Sequence, residues 1–109
     1  MGSREDLLHG CWVHSYEEDA DSETVFRRPT YPFPMSRGRK EIELHSDGTY
    51  VELFPGPVDV PVEAVGRWRL EEDRLTLRPD DGGAARSSSI TALDADRLTL
   101  REQSRREQR

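Results

Sequence analysis

The chain has 109 residues, 35% of them charged and only 33% hydrophobic, with 22 acidic against 16 basic side chains and a net charge of -6. That length holds one domain with a modest core, and the acidic balance argues against nucleic acid and anionic membrane surfaces, which both reward basic patches. A core so sparing suits a sheet closed on itself, where every second residue faces inward.

The lone Cys11 permits no internal disulfide, and no apolar run reaches the length of a signal-peptide core or a membrane span, so a cytoplasmic location is expected. Residues 1–10 read as a lead-in, helical over 4–10, with Leu7 and Leu8 capping one end of a domain that spans 11–101. Gly10-Cys11-Trp12 sets the start of strand one, Cys11–Tyr16. The acidic, turn-like Glu17–Glu23 follows, then strand two, Thr24–Arg28. Pro29-Thr30-Tyr31-Pro32-Phe33-Pro34 cannot be a central strand, because proline donates no ladder hydrogen bond. A long ordered loop, of the lid-like kind, is expected there.

Lys40–Leu44 is strand three, with Ile42 and Leu44 on one face and Glu41 and Glu43 on the other. His45-Ser46-Asp47-Gly48 is a hairpin signal leading into strand four, Thr49–Phe54. A second proline-rich connection covers 55–61. Strands five to eight are Ala64–Leu70, Arg74–Arg78, Arg86–Leu93 and Arg97–Arg101, separated by turns at Glu71-Glu72-Asp73, Pro79–Ala84 and Asp94-Ala95-Asp96. Residues 102–109 read as a flexible polar tail.

Two internal echoes support a regular sheet. Asp-Arg-Leu-Thr-Leu-Arg occurs at 73–78 and 96–101, each copy the return strand of a hairpin, and Gly-X-Trp opens strands one and five at 10–12 and 66–68. The expected fold is therefore all-β, an eight-stranded antiparallel up-and-down meander closing into a small barrel, since closure removes both edges. A two-sheet sandwich of the same strands is the alternative.

Gly10-Cys11-Trp12 ahead of an eight-strand meander resembles the lipocalin-like (calycin) barrels, in which a Gly-X-Trp tryptophan closes one end. The block Trp12-Val13-His14-Ser15-Tyr16-Glu17-Glu18-Asp19, Arg28-Pro29 and Phe33-Pro34-Met35-Ser36-Arg37-Gly38-Arg39 is similar to a family of small uncharacterised bacterial lipocalin-like proteins. Their pattern is W-x-H-S-x-E-E-D, R-P, F-P-P-S-R-G-R, and this chain departs from it at Met35. The resemblance implies a lipocalin-like fold and a site near this block, with a small cavity and no particular reaction.

Period-two alternation groups Trp12, His14, Tyr16 and Glu18 on one face of strand one, with Cys11, Val13 and Ser15 on the other. With Trp12 inward, as the resemblance implies, His14 and Tyr16 line the lumen. A buried polar network pinning strand one to strand two and the proline loop explains these residues without any ligand. The functional alternative makes Trp12, His14, Tyr16, Glu18, Arg28, Tyr31, Phe33, Arg37 and Arg39 a binding site, with arginine forks gripping an anionic group. Arg37-Gly38-Arg39-Lys40 reads either as salt-bridge partner to the acids at 17–19 or as that clamp.

No metal site is expected, because Cys11 and His14 face opposite ways and His9 and His45 lie apart. Cys11 shares its face with no histidine and reads as packing rather than nucleophile. The expected function is binding of a small hydrophobic or amphipathic molecule, anionic where an arginine grips it, at the barrel mouth near strand one under the Pro29–Gly38 loop. No cofactor, nucleic acid or membrane is involved in this reading. The alternatives are an enzyme (cyclase, isomerase or lyase) using His14 and Tyr16 as acid–base and donor beside an arginine anchor, and a non-catalytic protein-interaction module.

Overall fold

Alternation of apolar and polar side chains closes the chain into a barrel, and the computed structural model describes it over residues 4–35, 38–55 and 62–102. Arg37, most of the second proline-rich connection and the end of the polar tail lie outside the described residues. After the single helical turn α1 (Arg4–Leu8) come β1 (Gly10–His14), β2 (Glu23–Arg27), β3 (Glu41–Leu44) and β4 (Thr49–Phe54). They are followed by β5 (Val62–Glu71), β6 (Arg74–Pro79), β7 (Arg86–Leu93) and β8 (Arg97–Glu102). All neighbours are antiparallel and the eight strands form a closed barrel, as the sequence pattern leads one to expect.

The order around the barrel is β1-β2-β8-β7-β6-β5-β4-β3. From β3 to β8 the chain meanders by hairpins, but the β1–β2 hairpin enters with β2 against β8 and β1 against β3. The proline-rich connection must therefore cross β1 to carry the chain from β2 to β3. Val13 and Val25 show the consequence. Alternation points them outward, yet both are only 7% exposed and neither belongs to the interior cluster. The crossing segment covers that outer face.

Inside, Trp12, Phe26, Ile42, Leu44, Tyr50, Trp68, Leu75, Leu77, Ile90 and Leu98 pack as one cluster, closed at one end by Leu8 from α1. The repeated Leu-Thr-Leu segments supply Leu75, Leu77, Leu98 and the partly buried Leu100 from the two return strands. The second Gly-X-Trp lies within β5 rather than opening it, because that strand begins at Val62. Its glycine has a steric reason: a Cβ on Gly66 would sit 2.2 Å from the Arg78 carbonyl oxygen.

The tryptophans end in matching fashion, the indole N–H of Trp12 donating to the Leu8 carbonyl at 2.9 Å and that of Trp68 to the His45 carbonyl at 2.8 Å. Over the fully buried Trp12 ring lies the Arg28 guanidinium, 3.7 Å from its centroid. Arg28 also donates to the carbonyls of Leu7, His9, Cys11 and Ala95 at 2.9 to 3.3 Å. It thus satisfies the Leu7 carbonyl, which α1, too short to pair it internally, leaves free, and it ties α1 and β1 to the β7–β8 turn.

A planar fork serves four carbonyls where an ammonium cannot. Arg28→Lys is therefore expected to cost about 2 kcal/mol or more, read as a lower urea midpoint with an unchanged slope.

Candidate functional site

Strand one ends earlier than alternation alone suggests. β1 stops at His14, and Tyr16–Glu18 form a 3₁₀ turn. The expected shared inward face of Trp12, His14, Tyr16 and Glu18 is therefore corrected. Trp12 points inward, whereas Tyr16 is 44% exposed and Glu18 turns to the outer side of the wall. The turn forms because Ser15, buried at the strand exit, donates its hydroxyl to Glu18 Oε2 at 2.7 Å.

Successive acids of this turn then splay to two different arginines. Glu18 takes a two-pronged contact from Arg27 of β2 at 2.7 and 2.8 Å, and Glu17 takes one from Arg39 of the crossing segment at 2.6 and 2.8 Å. Arg39 lies between the Tyr16 and Phe33 rings, 4.6 and 4.7 Å from their centroids, and Arg27 stands 4.7 Å from the Tyr31 ring. Tyr31 meets Phe33 edge to face at 4.9 Å. Arg39 also donates to the carbonyls of His14 and Pro34.

His14 is bonded at Nε2 to Asp19 Oδ2 at 2.8 Å, while Asp19 Oδ1 accepts the Val25 N–H. The His14 ring sits 5.5 Å from Phe26 and 5.9 Å from Tyr16. The structure thus brings His14, Tyr16, Glu18, Tyr31, Phe33 and Arg39 together as a strap that binds the crossing segment to the strand exit. Arg28 and Trp12 lie at the opposite, closed end.

Cys11 faces outward as the alternation predicts, its Sγ donating to Glu41 Oε1 at 3.7 Å. Burial, then the neighbouring Glu41, push its thiol up to about 11, so it stays protonated near neutrality. Among the described residues no group of three or more His, Cys, Asp or Glu is placed to hold a metal ion, and no helix is long and apolar enough to cross a membrane.

The barrel interior contains a cavity of about 90 Å³, and none of the eight described site residues expected from the sequence lines it. Phe26, which lines it, has its ring 5.5 Å from that of His14. Its apolar wall includes Phe26, Ile42, Leu44, Leu75, Leu77 and Leu98, and its polar residues are Thr24, Lys40, Glu52, Arg86 and Ser88. Alternation explains the polar set: Lys40 precedes the inward Ile42 and Leu44, Glu52 follows the inward Tyr50, and Arg86 and Ser88 precede the inward Ile90.

Glu52 is only 2% exposed and accepts from Arg86 at 2.5 Å, across the interior, and from Lys40 at 3.1 Å. Both cations reach solvent, their side chains being 42% and 29% exposed. Tyr50, two residues earlier on the same strand face, is buried, and burial, followed by the Glu52 charge, raises its phenol pKa.

The sequence holds a signal for this cluster outside strand one. Thr49–Phe54 places an acid between Tyr50 and Phe54 on one face, and Lys40 and Arg86 open strands whose next even-numbered residues are apolar or small. Set against protein-family models, curated proteins and solved structures, the chain finds no match.

Glu18 supplies a test of the strap. Bonds from Arg27 hold its carboxyl down to about 2, against a usual 4.5. A depressed folded pKa means stabilisation present above about pH 4.5 and lost as pH falls toward 2. Wild type should be more stable than Glu18→Gln at pH 6, and the difference in urea midpoint should close across that acid window.

Proposed function

We propose that this protein binds a small molecule with an apolar body of a few carbons and one anionic head group, held in the barrel beside Glu52, Arg86 and Lys40. One observation carries the reading: two cations and one buried carboxylate gather at a cavity whose other lining residues are apolar except Thr24 and Ser88. Lys40 and Arg86 contribute +2 and Glu52 contributes -1, so one positive charge remains beside the cavity in a chain whose net charge is -6. Low-dielectric walls focus such a field and favour an entering anion.

Volume limits the ligand. A cavity of about 90 Å³ is smaller than the roughly 150 Å³ that accommodates benzene, which favours a body of about three to five carbons. Burying four methylenes contributes about 3 kcal/mol and a charge-assisted head contact about 2 kcal/mol. The cost of immobilising the ligand offsets most of that sum, so binding weaker than millimolar is expected.

The resemblance to lipocalin-like barrels supports a binding role on this scaffold. His14 and Tyr16 do not line this cavity, and Tyr16 is largely exposed, so they lend no support to acid–base chemistry in it.

Straight-chain monocarboxylates from acetate to octanoate, with the matching alcohols, test the reading by isothermal titration and amide chemical shifts. Carboxylates should bind weakly, tighten with the first few carbons and then fail as the body outgrows the cavity. Arg86→Gln should weaken carboxylate binding about tenfold and leave the alcohols unchanged. If neither series binds at any length, the proposal is wrong.

A further inference from the structure

We infer that Glu52 is a resident competitor: its carboxylate occupies the anion position of the cavity, and a ligand carboxylate enters by displacing it from Arg86 and Lys40. This rests on the binding role proposed above and adds to it an internal gate that sets the affinity.

The division of contacts carries the inference. Arg86 engages Glu52 Oε1 and Lys40 engages Glu52 Oε2, so one carboxylate occupies both cations. No other ion pair of Lys40 or Arg86 is present among the described residues. The acid is the buried member of the trio and the cations are its exposed members, so both long side chains lean over the cavity onto it. An incoming carboxylate finds no unoccupied cation and must share or replace the one already in place.

Filling the barrel does not need a charge at position 52, since Ile42, its register partner on β3, is apolar and lines the same cavity. A buried ion pair is seldom a net source of stability compared with an apolar pair of similar volume. Each cation also has a second neighbour to hold it once Glu52 lets go. The Lys40 ammonium lies 5.3 Å from the centroid of the Phe54 ring, and Arg86 hydrogen-bonds with Tyr50. The cations are thus able to remain at the cavity while their partner changes.

A gate and a positioning residue predict opposite signs. If Glu52 competes, Glu52→Gln keeps the side-chain volume, frees the cations and binds pentanoate about tenfold more tightly, with pentanol unaffected. If Glu52 instead holds Arg86 in place for the ligand, the same variant binds pentanoate more weakly, and the inference is overturned.

A measurement on the wild-type chain removes any dependence on the variant folding. The ¹³C shift of the Glu52 side-chain carboxylate should move on saturation with pentanoate and not with pentanol. Equal pentanoate affinity in wild type and Glu52→Gln, with that resonance unmoved, leaves the binding role standing and defeats the gate. Failure of every carboxylate and alcohol to bind either protein defeats both.

Discussion

The Arg28 guanidinium stacked on the Trp12 indole is the contact on which the remaining architecture depends. It joins the end of α1, the first residues of β1, the exit of β2 and the β7–β8 turn. Desolvation lowers the Arg28 pKa from its ordinary value, although a guanidinium remains charged throughout the accessible range. The cation is tolerated half in the interior because carbonyl oxygens and an aromatic face replace its water. Gly10 belongs to the same arrangement. It adopts φ 112°, and a Cβ there would meet Arg28 Nη1 at 2.9 Å. Leu8, Trp12 and Arg28 seal one end, and Lys40 and Arg86 lie toward the other.

A second constraint follows from strand order. Because β1 lies between β2 and β3, the connection between them has to run over the outside of β1, where a free proline-rich segment would gain little. The strap of Glu17, Glu18, Arg27 and Arg39, with its interleaved aromatic rings, holds it there. Single exposed ion pairs are worth little. Here each arginine contact is two-pronged and each guanidinium also covers a ring, so geometry rather than charge makes the strap specific. The strap accounts for the acids at 17 and 18, Arg27, Arg39 and the aromatic rings at 16, 31 and 33, which are much of the unusual composition of residues 10–39.

Most of the fold was legible because hairpin signals are local. Thr49–Phe54 and Arg86–Leu93 fall where alternation and turn residues put them, and the paired Leu-Thr-Leu return strands are real neighbours of the core. The pairing of β2 with β8 joins residues seventy or more positions apart, and no local pattern encodes it. Tyr16 was misplaced for a related reason. Alternation holds only while the backbone stays extended, and the Ser15 hydroxyl bond to Glu18 curls the chain one residue after His14. The clustering of polar and aromatic residues near strand one drew attention to a structural strap. Lys40, Glu52 and Arg86 are far apart in sequence and converge only on closure.

That convergence explains why a charged trio is compatible with so small a core. A lone carboxylate in the interior would be prohibitively costly, and even a paired one gains little over an apolar pair. Toward the other end, however, Arg86 and Lys40 keep part of their hydration while their charges reach Glu52, so the desolvation cost is shared unevenly and stays modest. The deeper layers at Trp12, Leu44, Leu75 and Leu98 are apolar and nearly inaccessible, and they hold the barrel together without help from the trio. Stability and polarity are thus separated along the barrel axis: the closed end supplies cohesion, and the other end is the place where a change of ionic partner disturbs the fold least.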